Sequence, residues 1–216
     1  MIKFENVNVY NFDGAIRGMR NSWESWAKSD SQIFISPDGV DTWIGPEDLK
    51  LAMKLVKAGS DHAKFLRQIL VSVDIIAPEY WWKEADTYKV GTVANSTSMM
   101  HTLGRTEITA DMFSFEDTPI RIQGQYLALL NELRDHWIDT GKKKPSSEWR
   151  ALNQLTAIAF NYRRTFTCNY AVLRNMYHSR KNHRLSEWHD FARWVELLPY
   201  SELITFREDK GHGKQE

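Results

Sequence analysis

The run Ile69-Leu70-Val71-Ser72-Val73-Asp74-Ile75-Ile76 constrains this chain more than any other segment. Its side chains are mostly β-branched and apolar, which suits a pleated strand, and Pro78 closes it. It is far shorter than the ~20 residues that cross a bilayer, so it reads as a buried strand. The start of the chain, with Ile2, Phe4, Val7 and Val9 roughly alternating, reads as a second, short strand. Most of the rest carries helical spacing. Ile16, Met19, Trp23 and Trp26 predict a helix over 15–28, and Leu49, Ala52, Met53 and Val56 predict one opened by Pro46-Glu47-Asp48 and stopped near Gly59. A second short helix is expected to carry His62, Phe65 and Leu66. Leu127, Leu130, Leu133 and Trp137 predict a helix over 125–138.

Ser36-Pro37-Asp38-Gly39 is a turn, and Lys142-Lys143-Lys144-Pro145 is a solvated break. Ser146 or Ser147 is expected to cap a helix beginning near Trp149. From there nearly continuous helix is expected to about Leu198, with interruptions near Asn161 and Asn182. The polar, aromatic segment from Tyr80 to His101 shows no regular period and is expected to be a loop. These elements imply a helix-dominated α+β single domain over 1–207 with a small antiparallel sheet, and a disordered tail over 208–216.

Composition limits the function classes. The chain has 216 residues, 42% of them hydrophobic, enough for a sizeable core. Lys+Arg and Asp+Glu both number 28, so the whole-protein field favours neither a nucleic acid nor a membrane surface. Cys168 is the single cysteine, so no internal disulfide and no cysteine-based metal site can form; it reads as a small apolar filler in a reducing, cytoplasmic protein. Met1-Ile2-Lys3-Phe4-Glu5 reads as neither a signal nor a transit peptide, so none is expected.

The densest polar stretch is Asn169 to Trp188. On a helix Asn169 and Arg180 are about three turns apart and share a face, whereas Asn175 is six residues from Asn169 and does not share it closely. Two readings fit. One is a solvated face with Arg180 complementing the helix dipole. The other is a pocket in which Asn amides read a heterocycle's polar edge and the Arg180 guanidinium holds two acceptors at once. Thr92, Asn95, Ser96, Ser98 and His101, beside Gly91, can either cradle a phosphate or bond their own backbone. His178, His183 and His189 lack the spacing of a helical zinc site, so no metal is expected. The basic cluster Lys181 to Arg184 reads as a helix junction. Gly-rich dinucleotide, Walker and nucleophile-elbow motifs do not occur.

Asn169, Asn175, Arg180, His183 and Glu187 together resemble a C-terminal helix pattern of the flavin-dependent thymidylate synthases, with one residue fewer between the Arg and the His. The resemblance extends in layout over about 46–198, through the strand Ile69–Ile76, its aromatic turn and the Ser/Thr-rich loop. It implies reductive methylation of dUMP to dTMP with FAD, methylenetetrahydrofolate and NADPH, in a homo-oligomer whose family form is a tetramer. It gives the flavin or its adenosine part to Asn169 and Asn175, with His183 in the same pattern; Trp82 and Lys83, at the place of the family's basic triplet, are the further cofactor-binding candidates. It gives the uracil and its ionised form to Arg180; if the Ser/Thr-rich loop cradles a phosphate, Thr92, Ser96 and Ser98 are the substrate-binding candidates there.

Two departures stand out. Where that family carries Arg-His-Arg, the chain is aligned at Trp82-Lys83-Glu84. A further family arginine falls at Asn153, with Arg150, Arg163 and Arg164 nearby in other phases. The alternative these departures suggest is a catalytically degenerate homologue that binds a nucleotide or flavin, or serves as an interaction module.

Overall fold

The structure, a computed structural model, describes residues 2–37 and 39–206. The expected tail over 208–216 lies outside them. In chain order the elements are β1 (Lys3–Tyr10), α1 (Phe12–Met19), β2 (Gln32–Ser36), β3 (Gly39–Trp43), α2 (Pro46–Lys57), β4 (Leu70–Pro78), α3 (Glu79–Ala85), β5 (Val93–Ser96), α4 (Met99–Thr102), α5 (Ile120–Asp139), α6 (Ser147–Leu155), β6 (Asn161–Asn169), α7 (Tyr170–Arg180), α8 (Ser186–Glu196) and α9 (Glu202–Thr205). One sheet has the order β1-β4-β6-β5, and β2 and β3 form a separate antiparallel hairpin in which Gln32 pairs with Trp43 and Ser36 with Gly39. The helix-rich α+β class with a small antiparallel sheet is therefore present.

The expected strand is β4, but only one of its faces is fully buried. Val71, Val73, Ile75 and Ala77 are closed off, while Ser72, Asp74 and Ile76 are half-buried. Asp74 explains the second face: it accepts a 2.6 Å hydrogen bond from Thr165 Oγ1 and meets Arg163, which also pairs with Glu5 at 2.7 Å.

Three expectations are corrected. The stretch 15–28 is not one helix: α1 ends at Met19, and short 3-10 turns follow at Asn21–Trp23 and Trp26–Lys28, with Glu24 between them in the left-handed region. The segment from Tyr80 to His101 is not irregular, because α3, β5 and α4 lie within it. The near-continuous C-terminal helix is interrupted by β6, not by a break at Asn161 alone. Along β6 the side chains of Phe166 and Cys168 face inward while Arg163, Thr165 and Thr167 face out, the two-residue period of a strand.

The chain divides into two compact units, one of 1–5, 74–89 and 94–166, the other of 6–73, 90–93 and 167–216. In the first, Leu103, Ile108, Phe113, Leu130, Leu152 and Phe160 form an apolar cluster. Its helix α6 begins as expected, with the Ser146 hydroxyl accepting from Trp149 N. In the second, Phe12 packs edge-on against Tyr170 and Tyr200, and the Tyr170 hydroxyl donates to the Pro199 carbonyl.

The second unit also buries an ion pair. Asp48, fully closed off, receives Arg20 Nε at 2.5 Å, the hydroxyls of Ser29 and Ser31 at 2.6 Å each, and the amides of Asp30 and Ser31. Burial pushes the Asp48 carboxyl up, and those hydroxyls and the Arg20 guanidinium more than reverse it, leaving it below the usual range. Asp30 in turn accepts from the amides of Glu47 and Asp48, capping α2, whose own N-cap, Gly45, has no side chain to do so.

Candidate functional site

The polar stretch that stood out in the sequence is built on α7 and on the turn into α8. Asn169 does not lie on the helix face assigned to it. It ends β6 and is the N-cap of α7, in extended conformation, with Oδ1 accepting from Val172 N at 3.0 Å. Its Nδ2 lies beside Gly91, which has φ +77; a Cβ there would come within 3.3 Å of both Asn169 Nδ2 and Val172 Cγ2. Only a glycine lets the backbone pass so close in this conformation. Asn169 thus has its acceptor engaged by its own helix and its donor next to an open-backbone turn that leads into Thr92. Asn175 is exposed on α7.

At the other end of α7, Arg180 is the last helical residue, as expected. Its guanidinium carbon lies 5.2 Å from the centroid of Trp188, a fully buried ring in the first turn of α8. His183 presents its ring edge-on to the same indole, centroids 6.3 Å apart. The turn between them is tightly wound: His183 N donates to Arg180 O at 2.9 Å, Leu185 N donates to His183 Nδ1 at 3.2 Å, and His189 Nε2 lies 2.8 Å from His183 O. Because His183 Nδ1 accepts, a neutral His183 carries its proton on Nε2. Glu187 is buried beside Trp188 in the same helix turn.

The opposite face of α7 holds α9 and the residue after it. Arg174 donates to Ile204 O at 2.9 Å, and His178 Nε2 lies 3.1 Å from the carbonyls of both Ile204 and Phe206. Burial, with help from Arg174 and Lys181, holds the His178 pKa below its ordinary value despite those carbonyls. Burial, together with a 2.7 Å hydrogen bond to Glu196, pushes Tyr177 up to about 12. Cys168 is buried and its thiol is pushed far up by burial, so it is packing material and no thiolate nucleophile.

In the other unit the segment aligned with the basic triplet lies on α3. Trp82 is 1% exposed and meets Trp81 edge-on and Phe166 at a tilt. The Arg164 guanidinium lies 4.3 Å from its centroid, and Arg164 Nη1 reaches both carboxylate oxygens of Asp86 at 2.8 and 3.0 Å. Lys83 is exposed and pairs with Glu79 at 3.3 Å. Of the Ser/Thr-rich group, Ser96 lies in β5 and donates to the Thr97 carbonyl, and Ser98 precedes α4 with its carbonyl accepting from the Thr102 hydroxyl. Asn153, in α6, donates to Trp149 O one turn back.

Sequence reasoning passed over the Arg164–Trp82 contact and Trp188. The two-residue alternation through 160–168 was the available signal for the first, and the i, i+8 spacing across a helix break was the one for the second. It also passed over a cleft of about 1470 Å³ between α1, α2 and the 3-10 turn Ala63–Arg67, bordered by Trp23, Lys28, Lys54 and Lys64. Among the described residues no helix is long and apolar enough to cross a membrane.

No protein-family model and no curated protein matches the chain. Solved structures do. Flavin-dependent thymidylate synthase ThyX from Helicobacter pylori, complexed with FAD and dUMP, is similar with a TM-score of 0.71 at 16% identity over 94% of this chain and 97% of that one. A second structure of that enzyme with FAD and dUMP gives the same score and identity over 95% and 97%. The UMP/dUMP methylase PolB from Streptomyces cacaoi, bound with 5-Br dUMP, is similar with a TM-score of 0.63 at 15% identity over 95% of each chain. Along nearly its whole length, this chain has the fold of the flavin-dependent thymidylate synthases.

Proposed function

We propose that this protein binds dUMP and FAD and methylates dUMP reductively to dTMP, with methylenetetrahydrofolate as carbon donor and NADPH as reductant. The observation that carries the reading is the helix α7 itself: it is capped by Asn169 at one end, ends on Arg180 at the other, and sits in a chain of this fold. Asn169, Asn175 and His183 are polar groups suited to a flavin's carbonyls and ring nitrogens. The Gly91 turn lies close against Asn169 Nδ2 and Val172 Cγ2, so the backbone around Gly91 packs on the start of α7 beside the amide that this reading gives to the flavin. When bound and reduced by NADPH, FAD would supply the hydride that turns the folate's transferred methylene unit into a methyl group.

The chain's own part is electrostatic. Arg180 faces the uracil and stabilises the negative charge that makes the ring carbon nucleophilic. Its planar fork suits two adjacent acceptors better than a lysine ammonium does. Thr92, Ser96 and Ser98 receive the phosphate in this reading; of the two α3 residues named for the cofactor, Lys83 is exposed, whereas Trp82 is 1% exposed and packs against Trp81, Phe166 and Arg164. A homo-oligomer, tetrameric as in the family, and a cytoplasmic location belong to the same reading.

The test is direct. Purified protein should show flavin absorbance or take up FAD, and should release tritium from C5-labelled dUMP above an Arg180→Ala control. Protein that takes up no flavin and releases no tritium sinks the activity. A second reading, nucleotide or flavin binding without turnover, is favoured by one observation: the α3 segment aligned with the family's basic triplet holds a buried Trp82 and a Lys83 already paired with Glu79. Binding of dUMP or FAD without tritium release selects it.

A further inference from the structure

Arg180 and His183 are separated by one residue fewer than in the resembling pattern, yet the turn between them is fully wound. Three contacts close it. His183 N donates to Arg180 O, Leu185 N donates to His183 Nδ1, and both side chains meet one indole, that of Trp188. That indole is fixed from below, since Trp188 is fully buried and packs edge-on against Phe191, centroids 5.4 Å apart, which in turn meets Trp194. A guanidinium over a ring is attracted by the ring's quadrupole. Burial of the ring leaves it few alternative positions.

We propose that Trp188 is a positioning residue: its indole holds the Arg180 guanidinium and the His183 imidazole as one unit, which sets how tightly the protein takes a pyrimidine nucleotide. The proposal rests on the function reading above, because it names what orients that reading's principal side chain. Trp188 itself touches no ligand in it. The short Arg180–His183 spacing is accommodated because both side chains are set by the common ring, and the number of turn residues between them matters less.

The experiment is a double-mutant cycle read by dUMP titration, with melting temperature followed in parallel. Trp188→Leu should weaken dUMP binding by about 2- to 30-fold, the range of a cation–π contact from exposed to desolvated. In an Arg180→Ala background the same change should have no further effect on affinity. Trp188→Phe, which keeps a ring, should recover most of the affinity. A loss equal in both backgrounds, or Trp188→Leu binding like the wild type, overturns the proposal, whatever happens to the melting temperature.

Trp188 is a core residue; should Trp188→Leu fail to fold, the side-chain NMR signal of Arg180 Nε–H decides. It should be shifted upfield by the ring in the wild type, assigned by its absence in Arg180→Lys, and an unshifted signal overturns the proposal without any ligand. Wild-type protein that takes no dUMP but shows the shifted signal overturns the function reading and retains the platform.

Discussion

The chain pairs a tryptophan with an arginine twice, and the two pairs have different surroundings. In one, Arg164 lies in the middle of β6 over Trp82, and the two oxygens of Asp86 receive its fork. In the other, Arg180 ends α7 over Trp188, and the contacts around it come from the turn that follows. The first pair is a packing solution: the cation is neutralised by Asp86 and covers a large ring. The second stands where a helix stops and the chain changes direction. There a side chain can be held firmly and still face something other than its own core. A cation–π contact by itself therefore says little about function; its position along an element says more.

The largest expected effect separates the pairs at the ring. Trp82→Ala should cost about 3–5 kcal/mol of stability, as large core truncations do, with dUMP affinity of the folded fraction unchanged. If titration shows affinity lost while the melting temperature holds, Trp82 serves a ligand and the contrast fails.

Next is the arginine at the helix end. Arg180→Ala should weaken dUMP binding by about 1.5–3 kcal/mol, the scale of hydrogen bonds to charged groups, and Arg180→Lys should fail almost as badly. Calorimetry with both variants checks it. A lysine variant with wild-type affinity reduces Arg180 to a complement of the helix dipole, worth about 0.3–1 kcal/mol of stability.

A smaller change tests the other end of α7. Asn169→Ala removes the cap on Val172 N and should cost about 1 kcal/mol in denaturant unfolding. Asn169→Asp keeps the acceptor and loses the Nδ2 donor beside Gly91. It should retain stability and weaken flavin uptake. If Asp and wild type take up FAD equally, the donor has no part in binding.

The mildest effect is on pH. His178, on α7, has its pKa lowered in the folded protein by burial and by Arg174 and Lys181. A depressed histidine binds fewer protons folded than unfolded, so its contribution is complete above about 6.5 and is lost as pH falls from there toward the folded value. Protection factors at Glu202–Phe206, taken against the intrinsic exchange rate at each pH, should therefore fall below about pH 6.5, more than at the Trp82–Arg164 pair. His178→Gln should flatten that dependence; an unchanged pH profile in this variant removes His178 as the cause.

How much of this was legible follows from where each signal resides. The helix α2 announced itself through Pro46, two acids and an apolar stripe, and Ser146 through its cap position, because helix boundaries are written in neighbouring residues. The strand β4 was legible from β-branched content. The strand β6 was not, although Phe160, Tyr162, Phe166 and Cys168 alternate with polar residues. Arg164 breaks that inward stripe, and a charge facing inward argues against a strand until Trp82 and Asp86, far away in sequence, are seen to receive it. The hairpin β2–β3 was not legible: Ser36 pairs with Gly39, while Asp38 of the expected turn lies outside the described residues.

By itself, then, the sequence determined the helix-dominated α+β class, the ends of several helices, the inert burial of Cys168 and the motif from Asn169 to Glu187. Each of these depends on residues close together along the chain. Only the tertiary structure decided that Asn169 caps a helix instead of lining it, that Trp82 carries Arg164, that Asp48 is satisfied by Arg20 and two serines, and that Trp188 lies under Arg180 and beside His183. Those are contacts between segments whose separation no local period encodes, and they form only when burial of apolar surface has brought the elements together.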